Sequence, residues 1–158
     1  TVAAVKAAVQ IPVVANGDIT TPHTAREVLA ATGADALMVG RAAQGRPWIF
    51  REIGHFLATG ETLAPPLVAE VRRLLLDHLQ EHYGLYGEFS GVRTARKHIG
   101  WYVHTLPGAA EFRSRMNTIE DSQLQWQAVS DFFEELAVST DRMPAQTALA
   151  QDESALAG

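Results

Sequence analysis

Two short apolar runs, each emptying into a glycine-bearing turn, constrain this chain more than any other feature. Ile11-Pro12-Val13-Val14-Ala15 leads into Asn16-Gly17-Asp18, and Ala36-Leu37-Met38-Val39 leads into Gly40-Arg41-Ala42-Ala43. Runs this short, apolar throughout and bounded by Gly, Asn and Asp, have the pattern of parallel strands buried on both faces. Between them, Thr20-Thr21-Pro22 puts a hydroxyl at a helix N-cap and proline at the first helical position. Ala25, Val28 and Leu29 then supply an apolar stripe that Gly33 ends. Thr1 to Val9 has the pattern of a preceding helix, and Arg46 to Leu57 that of a following one. Helix and strand alternating in this order indicate an α/β parallel sheet.

Beyond residue 58 the pattern changes. Gly60 and Pro65-Pro66 make residues 59–66 a linker, and every later segment is helical. Val68, Val71, Leu75, Leu79 and His82 line one face of a helix expected to end near Gly84. Val92, Ala95, Ile99, Val103 and Leu106 line a second, stopped by Pro107-Gly108. A short third piece covers Ala109 to Met116. Leu124, Ala128, Phe132, Phe133 and Leu136 line a fourth, with Asp121 as its N-cap. The expected fold class is therefore α/β plus all-α, with residues 1–58 in the α/β part and 67–138 in a small helical bundle. Residues 139–158, rich in Ala, Gln, Ser and Thr without a periodic apolar face, are expected to be a disordered tail. Trp48, Phe50, Phe56 and Trp126 are expected to be packing aromatics.

Charge and cysteine usage exclude several functions. There is no cysteine, hence no disulfide framework, thiolate metal site or cysteine nucleophile in these residues, which suits a reducing compartment. No run approaches the roughly 18 apolar residues that span a bilayer. The net charge of −5 gives no general attraction for nucleic acid, so a phosphate-binding surface must be local. Residues 59–107 balance five basic against five acidic side chains, whereas residues 108–138 carry two against six. The acidic stretch is expected to face away from any such surface.

The two strand exits carry the strongest chemical signal. Glycine there lets backbone approach a ligand closely and frees amides for an anion. In (β/α)8 barrels the phosphate site lies in the loops after strands seven and eight, with a short extra helix behind them. Residues from Ala42 onward are placed to supply that helix, and Arg41 a charge-assisted donor. On spacing alone, a phosphate cradle and two plain tight turns stand level. A second cluster, Arg93, Arg96 and Lys97 with Trp101 and His104, lies off the Val92/Ile99/Val103 stripe at helical i+3 and i+4 spacings. A basic ridge beside an indole suits phosphates and a stacked base, although spacing alone favours a solvated charged face.

Three other patterns are set aside. Gly40 to Gly45 has P-loop glycine spacing, but Arg46-Pro47 stands where Lys-Ser/Thr must be. His78-Leu79-Gln80-Glu81-His82 matches the inverted zinc-protease pattern. His82 continues an apolar stripe, however, and no strand frames a cleft, so no metal is expected. Asp18, in a glycine turn, suits orienting backbone or ligand better than acting as a general base.

The stretches IPVVANGDITTP and GADALMVGRAAQGRPWIFREI resemble the barrel end of tRNA-dihydrouridine synthases, closest to the bacterial B type. The later VRTARKHIGWY and FRSRMNTIED are similar to that family's helical domain, so the resemblance runs from Val2 to Ala137. It implies that residues 1–58 are the last two βα units of a TIM barrel and that residues 67–138 bind tRNA. It implies FMN held by Asn16, Gly17, Asp18, Gly40 and Arg41, and tRNA held by Arg93, Arg96, Lys97, Trp101 and His104. The implied reaction is that of a cytoplasmic flavoprotein oxidoreductase. A uridine C5–C6 double bond takes a hydride from FMN, NADPH reloads the flavin, and a cysteine from an earlier loop is the acid.

The chain departs from the complete enzyme. A whole barrel needs about 250 residues, and only two strands precede the helical part, without the cysteine. The expectation is an N-terminal barrel portion missing from this chain, no activity without it, and self-association through uncovered sheet. Two other readings stay open: a different FMN barrel oxidoreductase, since phosphate turns are shared by unrelated chemistries, and a non-catalytic RNA-binding helical module.

Overall fold

The computed structural model of the protein describes residues 1–145. Its first part alternates as α1 (Val2–Ala8), β1 (Val14–Asn16), α2 (Pro22–Thr32) and β2 (Ala36–Met38), then a 3-10 turn at Arg41–Ala43 and α3 (Ile49–Thr59). The strands pair in parallel with Val14 opposite Ala36, Ala15 opposite Leu37 and Asn16 opposite Met38. Helix α2 starts as its sequence requires. Thr21 is the N-cap in a reciprocal capping box with Thr24, Pro22 opens the helix, and Gly33 closes it in the left-handed conformation. Asp35 anchors the approach to β2 by accepting from the Val13 amide at 2.7 Å and pairing with Lys6 of α1 at 2.6 Å.

The strands are shorter and far more exposed than strands of a doubly covered sheet. Ala15 is buried, but Val14 and Met38 each keep 56% of their surface in solvent. Ile19, Ala25, Ile49 and Ile53 form a small core, with Val28, Leu37, Val39, Ala42 and Ala43 packed against it. Only one side of the sheet is thus covered among the described residues. Helix α3 begins three residues later than Arg46, because Arg46 is drawn inward instead. Its guanidinium pairs with Glu52 at 2.5 Å and donates to the Thr20 carbonyl at 3.3 Å. Of the packing aromatics, Trp48 and Phe56 are buried, whereas Phe50 lies 55% exposed on the outer face of α3.

The second part contains α4 (Val68–Val103), α5 (Ala109–Met116) and α6 (Ser122–Ser139). Helix α4 is broken at Gly87, whose φ of 73° and ψ of 172° are not helical. Only glycine adopts that region readily. The chain reverses there: His82 meets Thr94, and His78 meets His98, so the residue pairs centre on position 88. Helix α4 is therefore an antiparallel hairpin, and the break falls at Gly87 rather than Gly84, which stays helical.

Val68, Val71, Leu75 and Leu79 from the first arm and Val92, Ala95, Ile99 and Val103 from the second are all buried. They join Phe112, Met116, Ala128, Val129, Phe133 and Leu136 in the larger core. Helix α6 buries Ala128, Phe133 and Leu136 as expected and departs from the expected stripe at its first position. Leu124 is 64% exposed and Gln125 is fully buried in its place. Gln125 is tolerated because it accepts from the Tyr83 hydroxyl at 2.7 Å and donates to the Val92 carbonyl at 3.2 Å.

The expected tail needs a second correction. Residues after α6 return to the start of α4, where the Val68 amide donates to the Asp141 carbonyl and the Met143 amide to the Pro66 carbonyl. Met143 is buried in the larger core, an anchor that a composition-based reading overlooks. Residues 146–158 lie outside the described residues.

Candidate functional site

Parallel pairing decides where the two glycine turns lie. With Asn16 opposite Met38, both strands leave the sheet at the same edge. Gly17 has φ 145° and Asp18, unusually for a side-chain-bearing residue, φ 44°. A Cβ built at Gly17 or at Gly40 would meet nothing within 4 Å, so backbone at both turns is open to a ligand. Arg41 crosses the gap and pairs with Asp18 at 3.3 Å, both side chains being exposed. The structure thus gathers Asn16, Gly17, Asp18, Gly40 and Arg41 at one edge, with open backbone and a guanidinium held beside it. An anionic group of phosphate size fits that chemistry.

Packing ties this edge to α4. A Cβ at Gly45 would lie 2.1 Å from the Trp101 carbonyl oxygen, so the turn after Arg41 presses directly on the helix backbone. Beside that contact is an open cleft of about 270 Å³, bounded by Gly40, Gln44 and Gly45 and by His78, His98 and Trp101.

The second arm of α4 divides the basic ridge. Arg93 is exposed, stacks over Phe89 at 3.6 Å and pairs with Glu120 at 2.8 Å. Arg96 is half-buried and donates to the Ile119 carbonyl at 2.9 Å, tying α4 to the segment ahead of α6. Lys97 lies 5.1 Å from the Trp101 ring, and exposed His104 hydrogen-bonds the Trp101 carbonyl through Nδ1 at 2.8 Å. Lys97, Trp101 and His104 stay together on the solvent side, whereas Arg96 turns into a structural tie.

One constellation escaped the sequence reading. The hairpin brings His98 against His78 and His82, and one ring nitrogen from each lies within 4.8 Å of the others. Burial, reinforced by the His78 charge, holds His82 and His98 below the ordinary histidine range. Burial also pushes the neighbouring Tyr102 hydroxyl up to about 12. His98 stands 16 positions beyond His82, and no local periodicity reaches that far. Pairing the two apolar stripes as a hairpin would have found it.

The chain matches the family model for dihydrouridine synthase (Dus) over residues 1–137. It belongs to the dihydrouridine synthase family. Over 135 residues it is 58% identical to tRNA-dihydrouridine synthase B of Pseudomonas putida, an alignment covering 85% of this chain and 40% of that protein. The Pseudomonas aeruginosa protein of the same name is also 58% identical over 135 residues, 85% of this chain and 41% of that one. The Serratia marcescens protein of that name is 55% identical over 138 residues, 87% of this chain and 41% of its own length. The chain thus spans about two-fifths of these curated relatives. Its described residues form a small parallel sheet in a mostly helical molecule. No helix among the described residues is long and apolar enough to cross a membrane.

Proposed function

We propose that this chain is the closing part of the barrel and the helical domain of a B-type tRNA-dihydrouridine synthase. That enzyme reduces the C5–C6 double bond of a tRNA uridine in the cytoplasm, using FMN reloaded by NADPH. The observation that carries the reading is the identity of 58% over 135 residues to a tRNA-dihydrouridine synthase B, too long an alignment to lie within either part alone. On this reading residues 1–58 are βα units seven and eight of a (β/α)8 barrel, and the phosphate of FMN sits in the loops after their strands. Residues 59–66 link them to a tRNA-binding domain at 67–138.

Within that scheme, Gly17 and Gly40 admit the phosphate to the backbone, and Asn16 borders it at the end of β1. Arg41 donates to a phosphate oxygen, and Asp18 orients Arg41 through the ion pair at 3.3 Å. Bound there, FMN supplies the hydride. The acid that protonates the other uridine carbon comes from outside these residues, which contain no cysteine. Lys97, Trp101 and His104 meet the tRNA backbone and an exposed base edge. Arg93 exchanges Glu120 for a phosphate on binding, and Arg96 supports the surface through Ile119. A target uridine inside folded tRNA must be swung out of its stack to reach a flavin, and a helical domain beside the barrel mouth supplies the grip.

The test uses the full-length gene product containing this chain. It should copurify with flavin absorbance and raise the dihydrouridine content of tRNA at the expense of NADPH. Arg41→Ala should lower flavin occupancy. A full-length protein that carries no flavin and leaves every tRNA uridine unreduced would overturn the reading.

A further inference from the structure

We propose that His78, His82 and His98 form a binding site for one divalent transition-metal ion, of the class Zn²⁺, Co²⁺ or Ni²⁺, that pins together the two arms of the α4 hairpin. This inference is independent of the flavin reading and rests on three observations. First, the three imidazoles converge: one nitrogen from each lies within 4.8 Å of the others, and the His78–His98 and His82–His98 ring centroids are 4.9 and 5.1 Å apart. Nitrogen ligands of a tetrahedral zinc ion sit roughly 3.3 Å from one another, given Zn–N bonds of about 2 Å. Closing the gap takes a displacement of about an ångström per ring, within the reach of χ1 and χ2 adjustment. Three imidazoles without a thiolate or carboxylate suit ions of the borderline-soft class.

Second, a neighbouring hydroxyl sets the tautomer of His82. Thr94 Oγ1 lies 2.7 Å from the Ser90 carbonyl oxygen and 2.7 Å from His82 Nε2. A carbonyl only accepts, so the single Thr94 proton goes to the backbone and Nε2 of His82 must carry the proton of the second bond. Nδ1 is then the nitrogen left with a lone pair. A ligating histidine whose other nitrogen donates to a fixed oxygen is the usual outer arrangement of a metal site.

Third, His78 and His98 also border the open cleft of about 270 Å³ beside Gly40 and Gln44, which gives an ion a path to these two rings from solvent. The objection that His82 continues an apolar stripe loses its force here. It is buried against His78, His98 and Tyr86 rings rather than inside the aliphatic core.

The experiment uses the whole chain, stripped with chelator and titrated with Co²⁺ and Zn²⁺. One equivalent of Co²⁺ per chain should develop the visible bands of a four-coordinate nitrogen site, and Zn²⁺ should displace them. A triple variant replacing His23, His55 and His104 with Gln keeps the site. His98→Gln, at a half-buried position outside the apolar stripe, should lose at least about 100-fold in Zn²⁺ affinity while retaining its circular dichroism. Imidazole ¹H–¹⁵N spectra of the unmodified chain give a readout that needs no variant: Zn²⁺ should shift the His78, His82 and His98 signals and leave the other three unchanged. Zn²⁺ that binds equally well to His98→Gln, or shifts all six histidines alike, or shifts none, would overturn the site.

Discussion

At the scale of single residues, two contacts make predictions that differ in kind. Gly45 is a steric matter. A Cβ there would lie 2.1 Å from the carbonyl oxygen and 2.4 Å from the carbonyl carbon of Trp101, at a φ of +69°. Neither party is a flexible side chain, so the turn must lift from α4. Gly45→Ala is expected to destabilise the chain by about 3 kcal/mol or more in a urea melt; a loss below about 1 kcal/mol would mean that turn and helix part easily. Glu70 is an electrostatic matter. Its hydrogen bond to Arg51, at 2.5 Å, holds its carboxyl below the usual 4.5. A carboxylate with a depressed folded value contributes stability above its unfolded value and loses it as pH falls through the folded one. Glu70→Gln should therefore weaken the α3–α4 junction at pH 7, by less than about 1 kcal/mol because Arg51 is half-exposed. The difference from the parent should shrink as pH falls below the usual carboxylate range and Glu70 takes up its proton. Urea midpoints measured across that range check it, and a pH-independent difference would assign the effect to packing instead.

At the scale of elements, the caps and stripes were legible because they are local. Thr21-Pro22, Gly33, Asp121 and the limits Ala109–Met116 follow from capping chemistry and periodicity within a turn or two. What escaped was set by distant partners. Leu124 and Gln125 exchange places because Tyr83 and the Val92 carbonyl satisfy a buried amide, and His98 joins His78 only through the hairpin. The glycine turns were legible as turns, but their common edge required the pairing of Asn16 with Met38. The hairpin itself carries a prediction. Gly87 sits at φ 73° and ψ 172°, a region that costs other residues about 1–3 kcal/mol. Gly87→Ala should lose that amount, whereas Gly84→Ala, in a helical conformation with open space around it, should gain a few tenths or more. Equal effects at both would mean that the reversal does not need glycine. On the outer face of the second arm, Lys97→Ala in the full-length protein should weaken tRNA binding and reduce the salt slope of log K by about one. Binding and slope both unchanged would remove Lys97 from the interface.

At the scale of the whole molecule, the two parts differ in how well they are closed. The helical part buries a continuous core reaching from Trp48 to Met143. Among the described residues the sheet has two strands of three residues each, and helix α1 in front of it contributes no buried residue. Ile11, Val14 and Met38 remain 68%, 56% and 56% exposed, and both sheet edges offer unpaired backbone. Apolar surface of this kind is removed from water by association, at roughly 25 cal/mol per Å². The chain by itself is therefore expected to self-associate through its sheet, giving species heavier than one chain in sedimentation velocity that grow with concentration. Val14→Thr with Met38→Thr keeps β-branched or strand-compatible side chains while adding hydroxyls to the exposed face, and should shift the distribution towards monomer. Replacing Leu85 and Phe89, which are just as exposed but lie at the far tip of the hairpin, should leave the distribution unchanged. A parent chain that sediments as a monomer at every concentration would show that the open sheet is tolerated in water. A distribution that responds to the hairpin-tip changes and not to the sheet changes would move the contact to α4.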